Sequence, residues 1–286
     1  MSRLLVLAIG GHALGSPGDQ SYASERARIE TLGPVFQRLV ARGYRLLLVH
    51  GNGPQVGYLM HRVGSADELD IHVAQTQGEL GYLLAQALPQ PNLCVMTRVQ
   101  VANDPGEPIK PIGPYLPVKP DHLPCREFSD GWRVMVPSPK PETILELDFI
   151  RSLAESAHLV AGGGGGIPLG RNGRPIPAVI DKDWVAARFA IAFGAEALVF
   201  LTNVDHVYTG YGPDYDQAHG EPLIDLSVTA CDALLKSGEL GAGSMQPKVG
   251  AAAEFVAHSG QTAHIGVLEA LEDMLAGRAG TRIAPD

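Results

Sequence analysis

Apolar residues in this chain come in short unbroken runs, separated by stretches with a helical period. Leu4-Leu5-Val6-Leu7-Ala8-Ile9 and Leu46-Leu47-Leu48-Val49 contain no polar position, the pattern of strands buried on both faces. Between them Ile29, Leu32, Val35, Phe36, Leu39 and Val40 recur at helical spacing, which predicts one amphipathic helix. Strand, helix and strand in that order make a βαβ unit, and such units imply a mainly parallel sheet with helices on both faces. Leu93 to Met96, His158 to Ala161, Ala197 to Leu201 and Ala263 to Val267 continue the strand series. Helices are predicted near 75–88, 145–156, 183–193, 226–236 and 245–258.

Residues 101–141 break this rhythm. Ten prolines crowd the stretch, too many for regular helix, and little periodicity survives. Trp132-Arg133-Val134-Met135-Val136 inside it still reads as a strand. A lid or small protruding subdomain is therefore expected here rather than a disordered loop. The five glycines at 162–166 are flanked too closely by apolar segments to be a linker.

Composition narrows the function classes. At 286 residues the chain suits a single α/β domain with ample core. A formal charge of −9 and a pI near 5.5 leave no basic field for a nucleic-acid backbone. Cys94, Cys125 and Cys231 lie far apart without metal or redox spacing, and no signal peptide or membrane-length apolar run is seen. These features point to a reduced, cytoplasmic protein. The ten histidines lack the paired spacing of a zinc site, so no protein-held metal is expected.

The recurring chemical feature is a strand that runs directly into glycine. It occurs at Ile9-Gly10-Gly11, at Val49-His50-Gly51-Asn52-Gly53 and at Val160-Ala161-Gly162 through Gly166. Ligands of open parallel sheets bind at the carboxyl ends of strands, and glycine there lets backbone N–H groups approach an anion. Three such ends suggest a polyphosphate held by main-chain donors. Each could instead be a tight packing turn. No GxxxxGK[ST] run and no protein-kinase signature set is present, and the Gly51, Gly53, Gly57 spacing is only a loose relative of a dinucleotide fingerprint.

Phosphoryl transfer without those motifs still needs cations on the moving group and a carboxylate to hold them. Lysine is scarce in this chain, which makes its placement informative. Lys182 sits in the acid–lysine–acid triplet Asp181-Lys182-Asp183 opening a helix. Lys248 follows the small-residue loop Gly243-Ser244-Met245-Gln246-Pro247, and Lys110 stands in Lys110-Pro111-Ile112-Gly113-Pro114.

These motifs together resemble the carbamate kinase branch of the amino-acid-kinase superfamily, in the same order and from about residue 4 to residue 283. The most specific are His50-Gly51-Asn52-Gly53-Pro54-Gln55-Val56-Gly57, Lys110 to Pro114 and Val136-Pro137-Ser138-Pro139-Lys140-Pro141. Gln75-Thr76-Gln77-Gly78, Gly162 to Pro168, Val179 to Asp183, Gly243 to Val249 and Gly280-Thr281 also fit. The resemblance implies a three-layer αβα sandwich around an eight-stranded, mainly parallel sheet, spanning 1–286 as one domain, with a small lid subdomain near 115–135. It further implies a homodimer that interconverts ATP plus carbamate and ADP plus carbamoyl phosphate, with Mg²⁺ carried on the nucleotide, as in arginine breakdown.

Residue by residue, the resemblance places Gly10, Gly11, His12, Gly51, Asn52 and Gly53 around the small substrate and the transferring phosphoryl group. Gly162, Gly163, Gly164 and Gly165 line the floor of the site. Lys110 reaches in from the substrate side, Asp181 orients the lysines, and Lys182 and Lys248 neutralise the phosphoryl oxygens. Thr202, Asn203, Val204, Tyr208, Ser244, Met245 and Lys248 cradle the nucleotide. Three features depart from the family pattern: His12 replaces an asparagine, Asn203 replaces an aspartate, and the lid is trimmed, with Arg133 where family members tend to have a basic cluster. His12 and the trimmed lid touch the acceptor end. Another small carboxylate or phosphate acceptor, or a nucleotide sensor without turnover, therefore stands beside carbamate.

Overall fold

The computed structural model describes residues 3–14, 21–63, 67–210, 220–240 and 245–286. Its centre is an eight-stranded sheet made of β1 (Arg3–Ile9), β2 (Tyr44–His50), β3 (Asn92–Cys94), β4 (His158–Val160), β5 (Ala197–Leu201), β6 (Asp225–Ser227), β7 (Thr262–Gly266) and β8 (Thr281–Ala284). The order across the sheet is β6-β8-β7-β5-β1-β2-β4-β3, and every neighbouring pair is parallel except β7 with β8.

The unbroken apolar runs follow from this placement. Leu4, Val6 and Ala8 of β1 face one side of the sheet, against helices α5 (Lys182–Ala192), α6 (Val228–Ser237) and α7 (Met245–Ser259). Leu5, Leu7 and Ile9 face the other, against α1 (Tyr22–Glu30), α2 (Gly33–Ala41) and α4 (Leu69–Ala87). All six residues are buried. Side chains alternate across a strand, so a strand covered on both faces has no position left for a polar residue. The result is the three-layer αβα sandwich expected from the sequence. None of the described helices is long and apolar enough to cross a membrane.

One predicted element needs correction. The Ile29-to-Val40 stripe is two helices rather than one, broken at Thr31 and Leu32 with Pro34 in the first turn of α2. Proline lacks the N–H that a continuing helix requires, whereas the opening turn leaves that donor unused. The apolar face is the one the spacing predicts: Ile29, Leu32, Phe36 and Leu39 are all buried.

The proline-rich stretch builds its own antiparallel sheet from Pro108–Leu116, Gly131–Pro137 and Cys125–Phe128. Ile112, Val134 and Val136 of this sheet pack on Val56 and Met60 of α3 (Gly53–Val63), forming a third core. At Gly57 and Gly113 the contact is backbone on backbone. A Cβ placed on Gly57 would sit 2.1 Å from the Gly113 nitrogen, and Gly113 itself has φ +71°. We expect Gly57→Ala to force the small sheet off α3. The cost should be about 1–3 kcal/mol, read as a lower melting temperature in a thermal scan.

Candidate active site

The glycine-ended strands β1, β2 and β4 lie side by side with β5 and run the same way, so their carboxyl ends form one continuous rim. The ladder runs slightly past each strand: Gly10 N–H donates to the Leu201 carbonyl at 3.0 Å, and Gly51 N–H to that of Ile9 at 2.8 Å. At Gly51 a Cβ would meet the Gly11 nitrogen at 2.9 Å and Lys182 Cδ at 3.3 Å. Close approach explains the glycine here: the first two glycine turns touch, and the stem of Lys182 lies against them.

Beneath them, Gly162 to Gly165 form a short buried turn. Gly162, Gly164 and Gly165 have φ of +67°, +64° and +84°, and a Cβ on Gly163 or Gly164 would overlap His50 or Asn52. Gln77 holds the turn in place. Its amide nitrogen donates to the Gly163 and Thr97 carbonyls, and its amide oxygen accepts from Thr97 N–H. Burial pushes the His50 imidazole down to about 4, and the Lys182 charge adds to this against an opposing bond to the Gly51 carbonyl. His50 is therefore neutral at physiological pH.

The charged side chains come from two helix N-termini. Lys182 opens α5 and Lys248 lies in the first turn of α7. Both ammonium groups bond the same carboxylate: Lys182 Nζ is 2.8 Å from Asp183 Oδ1, and Lys248 Nζ is 3.2 Å from Asp183 Oδ2. All three residues are buried. Lys110 approaches from the small sheet, donates to the Ile180 carbonyl at 2.9 Å, and lies 3.9 Å from Asp181. Three ammonium groups thus face two carboxylates, leaving one formal positive charge in an acidic chain. The helix dipoles add to it, because N-termini are the positive ends.

Each group responds to this field. Burial would raise the Asp181 carboxyl, but Lys110, Lys182 and Lys248, with the Asp183 amide, hold it well below the usual carboxylate range. Burial lowers Lys110 and Lys248. At Lys182 burial also acts downward, yet Asp183 and Asp181 outweigh it and the ammonium is raised.

Two expected roles change. Asp183, not Asp181, holds Lys182 and Lys248 together. Asp181 caps α5, with Oδ1 accepting from the Asp183 amide at 2.9 Å, so its side chain turns back along the helix axis toward Lys110. Asn52 is buried and donates one amide hydrogen to Thr76 Oγ1 at 2.9 Å, so it also braces the rim from beneath. Gln77, Thr76 and Thr97 were not assigned a role from the sequence. Their types carry no charge signal, and the Gln75-to-Gly78 motif includes Thr76 and Gln77 without giving them a task.

On the rim beyond β5, Thr202 and Val204 are partly buried and Asn203 is exposed. Tyr208 donates its hydroxyl to Asp205 at 2.6 Å, and His206 lies on the other oxygen of Asp205. Met245, buried at the start of α7, lies three residues before Lys248. Ser244 and the side chain of His12 lie outside the described residues.

Fold and cleft together define an α/β protein with paired lysines at the glycine-lined rim of a parallel sheet. The amino acid kinase family model matches residues 3–266. Carbamate kinase of Halobacterium salinarum is 36% identical over 304 residues, covering 98% of each chain. Carbamate kinase of Escherichia coli O6:H1 is 39% identical over 308 residues, covering 99% of each. Carbamate kinase of Giardia lamblia bound to citric acid superposes with a TM-score of 0.89 at 30% identity, covering both chains fully. The same enzyme bound to AMP-PNP gives 0.84, also at 30% identity with both chains covered. The chain belongs to the amino acid kinase family, on its carbamate kinase branch, and is a kinase.

Asp183→Ala should leave two buried ammonium groups without their shared partner and cost about 3–5 kcal/mol in chemical denaturation. The Asp181→Asn deficit should follow acid. Its folded pKa is depressed from 3.8, so the stability it contributes is present above that value and fades as pH falls below it. Stability curves of wild type and Asp181→Asn should converge only in strong acid.

Proposed function

We propose that the chain interconverts ATP plus carbamate and ADP plus carbamoyl phosphate. The observation that carries this reading is the Lys182–Asp183–Lys248 cluster, set against the Gly10–Gly11 and Gly51–Gly53 turns. A carbamate oxygen attacks the terminal phosphorus of ATP, the bond to the bridging oxygen breaks, and ADP leaves with the charge. Carbamate arrives as an anion, so the step needs no base. Lys182 and Lys248 meet the charge on the phosphoryl oxygens, the backbone amides of the glycine turns orient the group, and Lys110 approaches from the acceptor side. That a carbamate kinase of Giardia lamblia has been solved bound to AMP-PNP supports an adenine nucleotide as the phosphoryl donor.

Mg²⁺ fits as a passenger on the nucleotide. Among the described residues no group of three or more His, Cys, Asp or Glu side chains could hold a metal, and both oxygens of Asp183 are taken by lysines. An ion coordinated by phosphate oxygens and water needs no such cage, and would supply further neutralisation of the polyphosphate.

We also propose a homodimer formed across β3. This strand ends the sheet, Leu93 on it and Met96 just beyond it are 44% and 54% exposed, and open edges invite pairing. Light scattering should give twice the chain mass; a monomer would remove this part.

The decisive assay supplies ADP, Mg²⁺ and carbamoyl phosphate and reads ATP. Turnover is expected, with a loss of several hundred-fold in kcat for Lys182→Ala and for Lys248→Ala, the size of one lost electrostatic stabiliser each. Undiminished turnover in either variant would remove that lysine from the chemistry. ADP release with other small acids but not carbamate would reassign the acceptor.

A further inference from the structure

Glu25 on α1 is 1% exposed and belongs to no part of the reaction above. A buried carboxylate must find donors. Its Oε1 accepts from the Gln55 side-chain amide at 2.7 Å. Its Oε2 is buried as well, and no N–H or O–H of the described residues reaches it. Glu79 of α4 lies within hydrogen-bonding reach of Glu25, and two carboxylates in that position cannot both ionise cheaply. A proton on Glu79 would satisfy Oε2 and remove the repulsion together.

Gln55 connects this pair to the cleft. It is the third residue of α3, directly after Gly53 and Pro54, and its backbone belongs to the first helical turn, where N–H groups have no partner within the helix. The Pro54 ring lies against Gly11: a Cβ there would meet Pro54 Cδ at 3.1 Å. The Gln55 amide oxygen is itself buried and meets no donor among the described residues, so the bond to Glu25 anchors that side chain.

We infer that Glu25 and Glu79 share one proton and, through Gln55, fix the Gly51-to-Gln55 turn, making both glutamates positioning residues for the phosphoryl cradle. What the turn holds rests on the proposed function; the shared proton and its effect on the turn do not. Burial, and then Glu25 itself, raises the Glu79 carboxyl to about 7. The other ionisable side chains on elements packed against α4 are Tyr22, Arg26, Arg28 and Glu30 of α1, Tyr58, His61 and Arg62 of α3, Cys94 of β3 and His158 of β4. None of them contributes to that shift. Once the proton leaves, two facing charges push Glu25 off Gln55 and loosen the turn. A glutamine at 79 donates at every pH and keeps the turn in place.

The test follows the Glu79 carboxyl ¹³C resonance and the amide resonances of Gly53 and Gln55 from pH 5 to 9, in wild type and Glu79→Gln. It pairs these with KM and kcat for carbamoyl phosphate. Glu79 should titrate near 7, and the two amides should move with the same midpoint in wild type and stay still in the variant. From pH 6 to 8.5 the wild-type KM should rise roughly three- to tenfold more than that of Glu79→Gln, with the kcat ratio nearly constant. Because folding raises this pKa, wild type should also lose melting temperature against the variant as pH climbs through about 7. Titration of Glu79 in the ordinary carboxylate range, amides that ignore it, or parallel KM profiles would each overturn the inference. If neither protein uses carbamoyl phosphate, the proposed function fails, and the carboxyl and amide titrations still decide the shared proton and its hold on the turn.

Discussion

The cleft depends on one carboxylate doing two jobs. Asp183 takes a lysine on each oxygen, and all three groups are withdrawn from water. Two ammonium groups at the N-termini of α5 and α7 would otherwise repel each other and oppose the dipoles of their own helices. The carboxylate lets both stay charged and close together, and the remaining imbalance makes the pocket attract anions. An acidic protein of net charge −9 can in this way present positive potential within the cleft.

The rest of the architecture brings partners to that pair. Parallel strands place the ends of β1, β2 and β4 next to one another, which no antiparallel arrangement of the same strands would do. Glycine at those ends allows backbone to touch backbone, as between Gly51 and Gly11, so amides replace side chains along the rim. The small proline-rich sheet brings Lys110 in from a third direction, and the Gly57–Gly113 contact fixes how close it comes. Buried neutral groups carry the load beneath: His50, Asn52, Gln77 and Thr97 support the glycine turns without adding charge.

Much of this was legible in the residues. The runs at 4–9 and 46–49 were read as doubly buried strands because a strand covered on both faces loses its polar positions, and the sheet shows the same burial. Lys182 and Lys248 stood out through scarcity and context, and the structure brings them together. The resemblance points to Asp181 as the residue that orients the lysines, yet Asp183 bonds both; the two acids flank Lys182 alike, and cap geometry places one at the N-cap and the other in the first turn. The break at Pro34 was hidden by a stripe that keeps its period across two helices. The Glu25–Glu79 contact was invisible because it joins two helices whose register to each other only the packing sets.

The account stands most directly on where a polyphosphate sits. A crystal structure of the protein with a non-hydrolysable ATP analogue and Mg²⁺ should place phosphoryl oxygens about 3 Å from the Nζ atoms of both Lys182 and Lys248. The outermost phosphate should face the Gly10 and Gly51 turns. A polyphosphate bound away from the Asp183 cluster would contradict it.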